Sequence, residues 1–400
     1  EDAAGLYQAL HAHPESLRSA LANYEAERQP PVARFQDAAR DSARYFEFVG
    51  HHLQLEPATF AFNLLTRSGR VSHLDMERRD PALTIAADRL VAGIEHGEVV
   101  LPPSQTALTI GGLALPNRLV ADFDDASGEA LLLTPTIAVD AVGRSHPGTP
   151  VAGPGAGRYS SESGGAVGVV LGHAGARAST RPPENGLDRP LRIGAWEAIA
   201  CSPIPYTPAH RVPRSMSDDD MIGVIDAFVG AAAWAGDVGF ALLMLDAARG
   251  GLLAGFLSPI TNQRSDRYGG DVSARVRFPL EVLVRVRERW RGPIAVRLSV
   301  TDWTRDGTSL EDSIDIASRF AEAGASLVEV VGGGTVAEAE PGYRRGYLIP
   351  MAAELRQRAG VAVLVGGGIT SRDEADTAIA AGRADLIRID PYLYRRPLMR

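Results

Sequence analysis

Val361-Ala362-Val363-Leu364-Val365-Gly366-Gly367-Gly368-Ile369-Thr370-Ser371 carries the pattern that decides the fold. Five apolar residues in a row, three of them valine, suit a strand buried on both faces of a parallel sheet. Three glycines then turn the chain. Ser371, followed by Glu374, has the character of a helix start. The same unit recurs outward from here. Leu119–Asp122, Ala130–Thr134, Ala166–Leu171, Phe240–Leu245, Ile294–Leu298, Leu327–Val331, Val361–Val365 and Leu386–Ile389 read as strands. Helices are predicted over Ser217–Trp234, Val272–Trp290, Ser309–Ala323, Met351–Arg358 and Ser371–Ala381. Eight strands alternating with helices predict an α/β fold, a (β/α)8 TIM barrel.

Its first quarter breaks the rule. Only seven residues separate the first two strand candidates, and a parallel crossover needs a dozen or more. The stretch from Asp140 to Gly165 is rich in Gly, Pro and Ser and has no helical period. Two outer helices are therefore expected to be missing, leaving the barrel irregular, incomplete or open there. The first ~95 residues read as amphipathic helices by the spacing of Leu6, Leu10, Leu17, Leu21, Phe35, Tyr45 and Phe48. Two domains follow: a helical segment over 1–97 and the barrel over 98–400.

Composition excludes several function classes. The net charge of −8 argues against a nucleic-acid or anionic-membrane partner. All 41 basic residues are Arg. Without lysine there is no Schiff-base chemistry and no Walker phosphate loop. One cysteine, Cys201, rules out an internal disulfide and any Cys-based metal site, and no His or carboxylate spacing suggests a metal. The start of the chain has no basic, apolar leader pattern, and Phe228–Leu245 is broken by glycines. A cytoplasmic setting is the expectation.

In such barrels chemistry sits at the C-terminal strand ends. Those ends hold Asp122 and Asp124, His173, Asp246 and Arg249, Arg297, Gly332 to Thr335, Gly366 to Gly368, and Arg388. A glycine turn opening a helix can bind phosphate through its N–H groups, or be only a tight turn. Arg297 either faces an electron-rich ring or pairs with Asp302 or Glu329. Asp246 and Arg249 are spaced for a local ion pair; the functional alternative is a proton donor beside an anion-binding residue.

Phe256-Leu257-Ser258-Pro259-Ile260-Thr261-Asn262-Gln263-Arg264-Ser265-Asp266-Arg267-Tyr268-Gly269-Gly270, with Arg275 and Arg277-Phe278-Pro279, strongly resembles the old yellow enzyme family. Leu115-Pro116-Asn117-Arg118, Leu171-Gly172-His173-Ala174-Gly175 and Val296-Arg297-Leu298-Ser299 support it. The resemblance runs from about Pro102 to Arg400. It implies an FMN-dependent NAD(P)H oxidoreductase on a TIM barrel. Tyr24-Glu25-Ala26-Glu27-Arg28 and Phe60 to Ser68 look like the helical tail of an FAD-dependent aromatic hydroxylase. The two together, with Thr301-Asp302-Trp303, look like bifunctional anthraniloyl-CoA or salicylyl-CoA monooxygenase/reductases. That implies an aryl-CoA-derived substrate and a hydroxylase half that precedes this chain or acts as its partner. A homo-oligomer is the other partner expectation.

The resemblance assigns residues. Arg297 would lie at the flavin ring, Gly366, Gly367 and Gly368 at its phosphate, and Val170 at its pyrimidine edge. Asp246 and Arg249 occupy the catalytic positions after the fourth strand. His173 and Gly333 are the substrate-side candidates. There are departures. Asp246 and Arg249 replace the family's two hydrogen-bonding residues, and Gly251 replaces a tyrosine. Asp122-Phe123-Asp124 replaces the stretch under the flavin. Val170 stands where a glutamine binds the flavin, and Pro391 where an arginine grips the phosphate. Each change removes a donor or adds negative charge. Three readings remain: an FMN-dependent reductase, a flavin-free barrel acting as scaffold, and a barrel that binds an anionic ligand.

Overall fold

The computed structural model describes residues 1–95, 99–125, 128–159, 165–186, 188–340 and 342–390. The chain divides into two compact units, Glu1–Ala87 and Asp88–Arg400. The first is helical: α1 (Asp2–Ala12), α2 (Leu17–Glu47), α3 (Pro57–Leu65), α4 (His73–Arg79) and the start of α5 (Pro81–Ala92). α2 runs unbroken through Pro30 and Pro31.

The second unit opens with a hairpin, β1 (Leu108–Ile110) and β2 (Leu113–Leu115), followed by β3 (Leu119–Asp122), β4 (Leu131–Ala138) and β5 (Ala166–Gly172). A short ladder, β6 (Ile199–Ala200) and β7 (Arg214–Ser215), precedes α6 (Asp218–Val238) and β8 (Leu242–Ala247). Then come α7 (Leu252–Leu257), α8 (Val272–Arg275), α9 (Arg277–Arg289), β9 (Ile294–Ser299), α10 (Leu310–Glu322) and β10 (Leu327–Val331). The unit ends with α11 (Ile349–Ala359), β11 (Ala362–Val365), α12 (Arg372–Ala380) and β12 (Leu386–Arg388).

Eight parallel strands close a barrel in the order β10-β11-β12-β3-β4-β5-β8-β9. Closure is made where β12 meets β3, with Ile387 opposite Leu119. The barrel is therefore not open. Among the described residues those two connections hold no α-helix, only 3-10 segments at Phe123–Asp125 and Pro154–Tyr159. The four residues of β3 rise only about 13 Å. The eight residues to β4 can return that distance without a helix. β4 slips register between Leu133 and Thr136, at Pro135, which has no N–H for the ladder.

The helix starts are set by side-chain caps. Ser217, Ser309 and Ser371 accept from the N–H of Asp220, Asp312 and Glu374. The predicted helix over Val272–Trp290 is two helices, interrupted at Val276. α6 is apolar and long enough to cross a membrane, but Met221, Val224, Phe228, Ala231 and Ala235 are buried in the core between strands and helices. A second core fills the barrel axis with Val120, Leu131, Leu133, Val170, Leu242, Met244, Ala295, Leu327, Leu364 and Leu386, joined by Ile110 and Leu115 of the hairpin.

Candidate functional site

Strand side chains alternate between two faces. On β9, Ala295 is in the axial core while Ile294 and Val296 face the helices. Arg297 therefore points inward, one level above Ala295. The same count places Glu329 above Leu327, Asp246 above Met244, Arg388 above Leu386 and Asp122 above Val120. The axis is apolar at its lower levels and charged at its C-terminal mouth. Register brings three of these charges side by side: Asp246 is opposite Arg297, and Arg297 opposite Glu329.

They form a continuous chain. Arg297 Nε donates to Glu329 Oε2 at 2.6 Å, and its Nη1 lies 3.5 Å from Asp246 Oδ2. Arg388 Nη2 is 2.7 Å from the other Glu329 oxygen, and Nη1 donates to Asp122 Oδ1. Thr136 Oγ1 donates to Asp246 Oδ2 at 2.7 Å. Glu329 is 2% exposed. Burial alone would raise its pKa, but Arg297 and Arg388 hold the carboxyl down at about 2. Burial opposes the charge on Arg297 as well; Glu329 and Asp246 outweigh it and keep the guanidinium above its ordinary range.

The predicted Asp246–Arg249 ion pair is not made. Asp246 turns to Arg297 and Thr136, leaving its Oδ1 buried without a partner among the described residues. Arg249 adopts φ +52 and is tied through its backbone, N–H to Ser299 Oγ at 3.0 Å and carbonyl from Arg177. Its side chain stays by the mouth against Gly334, and desolvation and the neighbouring Arg297 lower its pKa against the pull of Glu329 and Asp246. Of the two partners foreseen for Arg297, Glu329 is the one it takes. Asp302 instead accepts from Ser258 Oγ and from Thr308 N and Oγ1, each at 2.8 Å.

His173 is buried. Its Nδ1 accepts from Gly175 N at 3.0 Å, and its Nε2 is 4.0 Å from Asp140 Oδ1. Burial lowers its pKa to about 4, against the pull of Asp140. The Nδ1 bond holds the loop, and Nε2 has no hydrogen-bond partner among the described residues. Gly333 lies under Trp303: a Cβ there would stand 2.6 Å from the indole Cδ1. Its face is thus closed to a ligand. Cys201 donates to the carbonyls of Gly255 and Thr261, and burial pushes its thiol up to about 12.

The glycine turn is also filled. At Gly367 a Cβ would stand 2.7 Å from the Tyr347 ring, and at Gly368 2.9 Å from the Arg344 carbonyl. The anion position before α12 is taken by the chain itself. Glu374 Oε2 accepts from Thr370 N at 2.8 Å, and Arg345 pairs with Oε1 at 2.7 Å. Val170 brings only methyl groups to the axis. Pro391 lies outside the described residues.

The protein's own side chains fill part of the region where FMN is expected. The Asp122–Arg388–Glu329–Arg297–Asp246 chain spans the strand ends, Tyr347 and Arg344 pack against the Cβ side of Gly367 and Gly368, and Glu374 takes the Thr370 N–H. The sequence named most of the charged residues singly. It did not show the covering stretch Arg344–Tyr347, Trp303 over Gly333, or Glu374 in the anion position. The signal that joins the charges is strand parity: each sits two residues past an apolar inward position. Among the described residues no metal-ligating cluster is present.

A closed eight-stranded parallel barrel with charged strand ends is the architecture of a large class of enzymes. The sequence model of the NADH:flavin oxidoreductase / NADH oxidase family matches residues 161–397, and the chain belongs to that family. It is 35% identical over 236 residues to the NADPH dehydrogenase of Geobacillus sp. (strain WCH70), covering 59% of this chain and 65% of that protein. The NADPH dehydrogenase of Listeria monocytogenes serotype 4a (strain HCC23) is 36% identical over 231 residues, 58% of this chain and 64% of that protein. The chain thus spans just under two thirds of these relatives. Among solved structures, 2-naphthoyl-CoA reductase in complex with 2-naphthoyl-CoA superposes with a TM-score of 0.62 at 21% identity, over 73% of this chain and 51% of that one. Morphinone reductase does so with a TM-score of 0.60 at 20% identity, over 72% and 85%. The structural likenesses speak for the fold.

Proposed function

We propose that this chain is the reductase-family part of a flavin-dependent aryl-CoA monooxygenase/reductase, and that its own barrel works without FMN. The barrel then serves as a binding and interaction body beside a hydroxylase half, on the same chain or another. The observation that carries this reading is the ion-pair chain from Asp122 to Asp246, which occupies the mouth with this protein's own side chains. The resemblance of Tyr24–Arg28 and Phe60–Ser68 to a hydroxylase tail supports the hydroxylase connection.

A second reading is favoured by family membership over residues 161–397 and by the charged, buried Arg297. In it the barrel is an FMN-dependent NAD(P)H oxidoreductase of the ene-reductase type, acting on a dearomatised aryl-CoA product. Absorbance near 450 nm, before and after excess FMN and desalting, separates the two. No retained flavin supports the first reading. About one flavin per chain overturns it and supports the second.

A further inference from the structure

The chain has five asparagines, and four of them are held in place. Asn23 and Asn63 lie inside α2 and α3, where the next backbone N–H belongs to the helix ladder. Asn262 is buried, and its amide donates to the carbonyls of Phe256 and Tyr268. Asn117 accepts from the N–H groups of Leu119 and Ala130 and donates to the Gly128 carbonyl. Asn185 differs on each count. It is exposed, its side-chain amide has no hydrogen-bond partner among the described residues, and Gly186 follows it.

The backbone there is lightly tied. Pro182 and Pro183 bring no N–H groups. Two bonds close the 3-10 turn Pro183–Asn185: Asn185 N donates to the Pro182 carbonyl at 2.9 Å, and Gly186 N to the Pro183 carbonyl at 3.1 Å. Opening the second bond alone frees the Gly186 nitrogen. Gly186 has no Cβ to crowd the side chain before it. A cation also lies against it. A Cβ at Gly186 would stand 2.6 Å from Arg189 Cδ and 2.9 Å from its Nε, and no carboxylate pairs with Arg189 among the described residues. A positive neighbour favours the anion that a backbone amide becomes on losing its proton.

We propose that Asn185 is a site of spontaneous deamidation. Gly186 N gives its proton to solvent base and bonds to Asn185 Cγ. The Cγ–Nδ2 bond breaks, and Nδ2 takes up a proton and leaves as ammonia. The succinimide so formed adds water and opens at either carbonyl, to aspartate or to isoaspartate. One water is consumed and one ammonia released, with no change of oxidation state. The product is a carboxylate three residues before Asp188, whose two oxygens Arg177 holds at 2.7 and 2.8 Å. Arg177 also donates to the carbonyls of Arg249 and Gly334, so the new charge enters a segment tied to the loops after β8 and β10. The reaction requires neither flavin nor a filled mouth.

The test is peptide mapping of the full chain after ageing at mildly alkaline pH, folded and in urea. A gain of one mass unit is expected at Asn185, in aspartyl and isoaspartyl forms, with the folded rate within about tenfold of the rate in urea. Asn23, Asn63, Asn117 and Asn262 should change at least about tenfold more slowly than Asn185 in the folded chain. Asn185→Gln should show no gain in its peptide. Arg189→Gln should slow the folded reaction about two- to fivefold and leave the rate in urea unchanged. No gain at Asn185, or a gain no faster than at the other four, overturns the proposal. Aspartate without isoaspartate also overturns it, since water and not Gly186 N would then be the nucleophile. An Arg189→Gln rate equal to the wild type overturns the part given to the guanidinium.

Discussion

Arg297 donates to Glu329 across 2.6 Å, between residues in register on adjacent barrel strands and both nearly out of contact with water. Each ion gives up hydration that only its partners replace. Glu329 has two such partners, Arg297 on one oxygen and Arg388 on the other. It is the centre of the chain, and Asp122, whose side chain is 55% exposed, is its loose end.

Glu329→Gln should therefore destabilise the protein by about 3–5 kcal/mol, because it leaves two buried guanidinium groups without their shared carboxylate. Asp122→Asn should cost less than about 1 kcal/mol, since solvent already screens that carboxylate. Denaturant unfolding at neutral pH measures both. Equal costs would show that the chain is not centred on Glu329.

The barrel was legible because its strands are continuous apolar runs and its later helices carry serine caps such as Ser309 and Ser371. Closure was not legible. β3 has the four residues read for it from sequence, but there the short return from Asp122 to Leu131 is measured against the length of an ordinary helical crossover and not against so short a strand. Arg297 with Glu329 could be foreseen as a pair, since both lie at inward positions of neighbouring strands. Arg388 with Glu329 could not, because Leu364 on β11 is what register places opposite Glu329. Reach across an intervening strand depends on side-chain length, not on spacing. Likewise Gly366 to Gly368 read equally as a phosphate turn or a tight turn, and only tertiary packing brings Arg344 and Tyr347 onto it.

His173 sets an acid limit. Its folded pKa of about 4 lies below the ordinary 6.5, so the unfolded chain binds the proton first. The stability it contributes is complete above about pH 6.5 and is lost as pH falls toward 4, by on the order of 3 kcal/mol. Glu329, held at about 2 against an ordinary 4.5, adds its own loss only below that. Denaturant midpoints at pH 7 and pH 4.5 should differ clearly in the wild type and much less in His173→Gln. An unchanged difference in the variant would place the titrating group elsewhere.

Gly367→Ala tests whether Tyr347 truly seats on the glycine turn. Gly367 has φ +87, which costs an alanine about 1–2 kcal/mol whatever surrounds it. The new methyl would also stand 2.7 Å from the Tyr347 ring, so Tyr347 must move. In a Tyr347→Ala background the backbone part and a 3.2 Å approach to Leu348 remain. The double-mutant cycle should therefore return a coupling of at least about 0.5–1 kcal/mol between the two positions. Strictly additive costs would mean that the ring does not rest on the turn in solution. The phosphate role expected of Gly366 to Gly368 from sequence would then regain its footing.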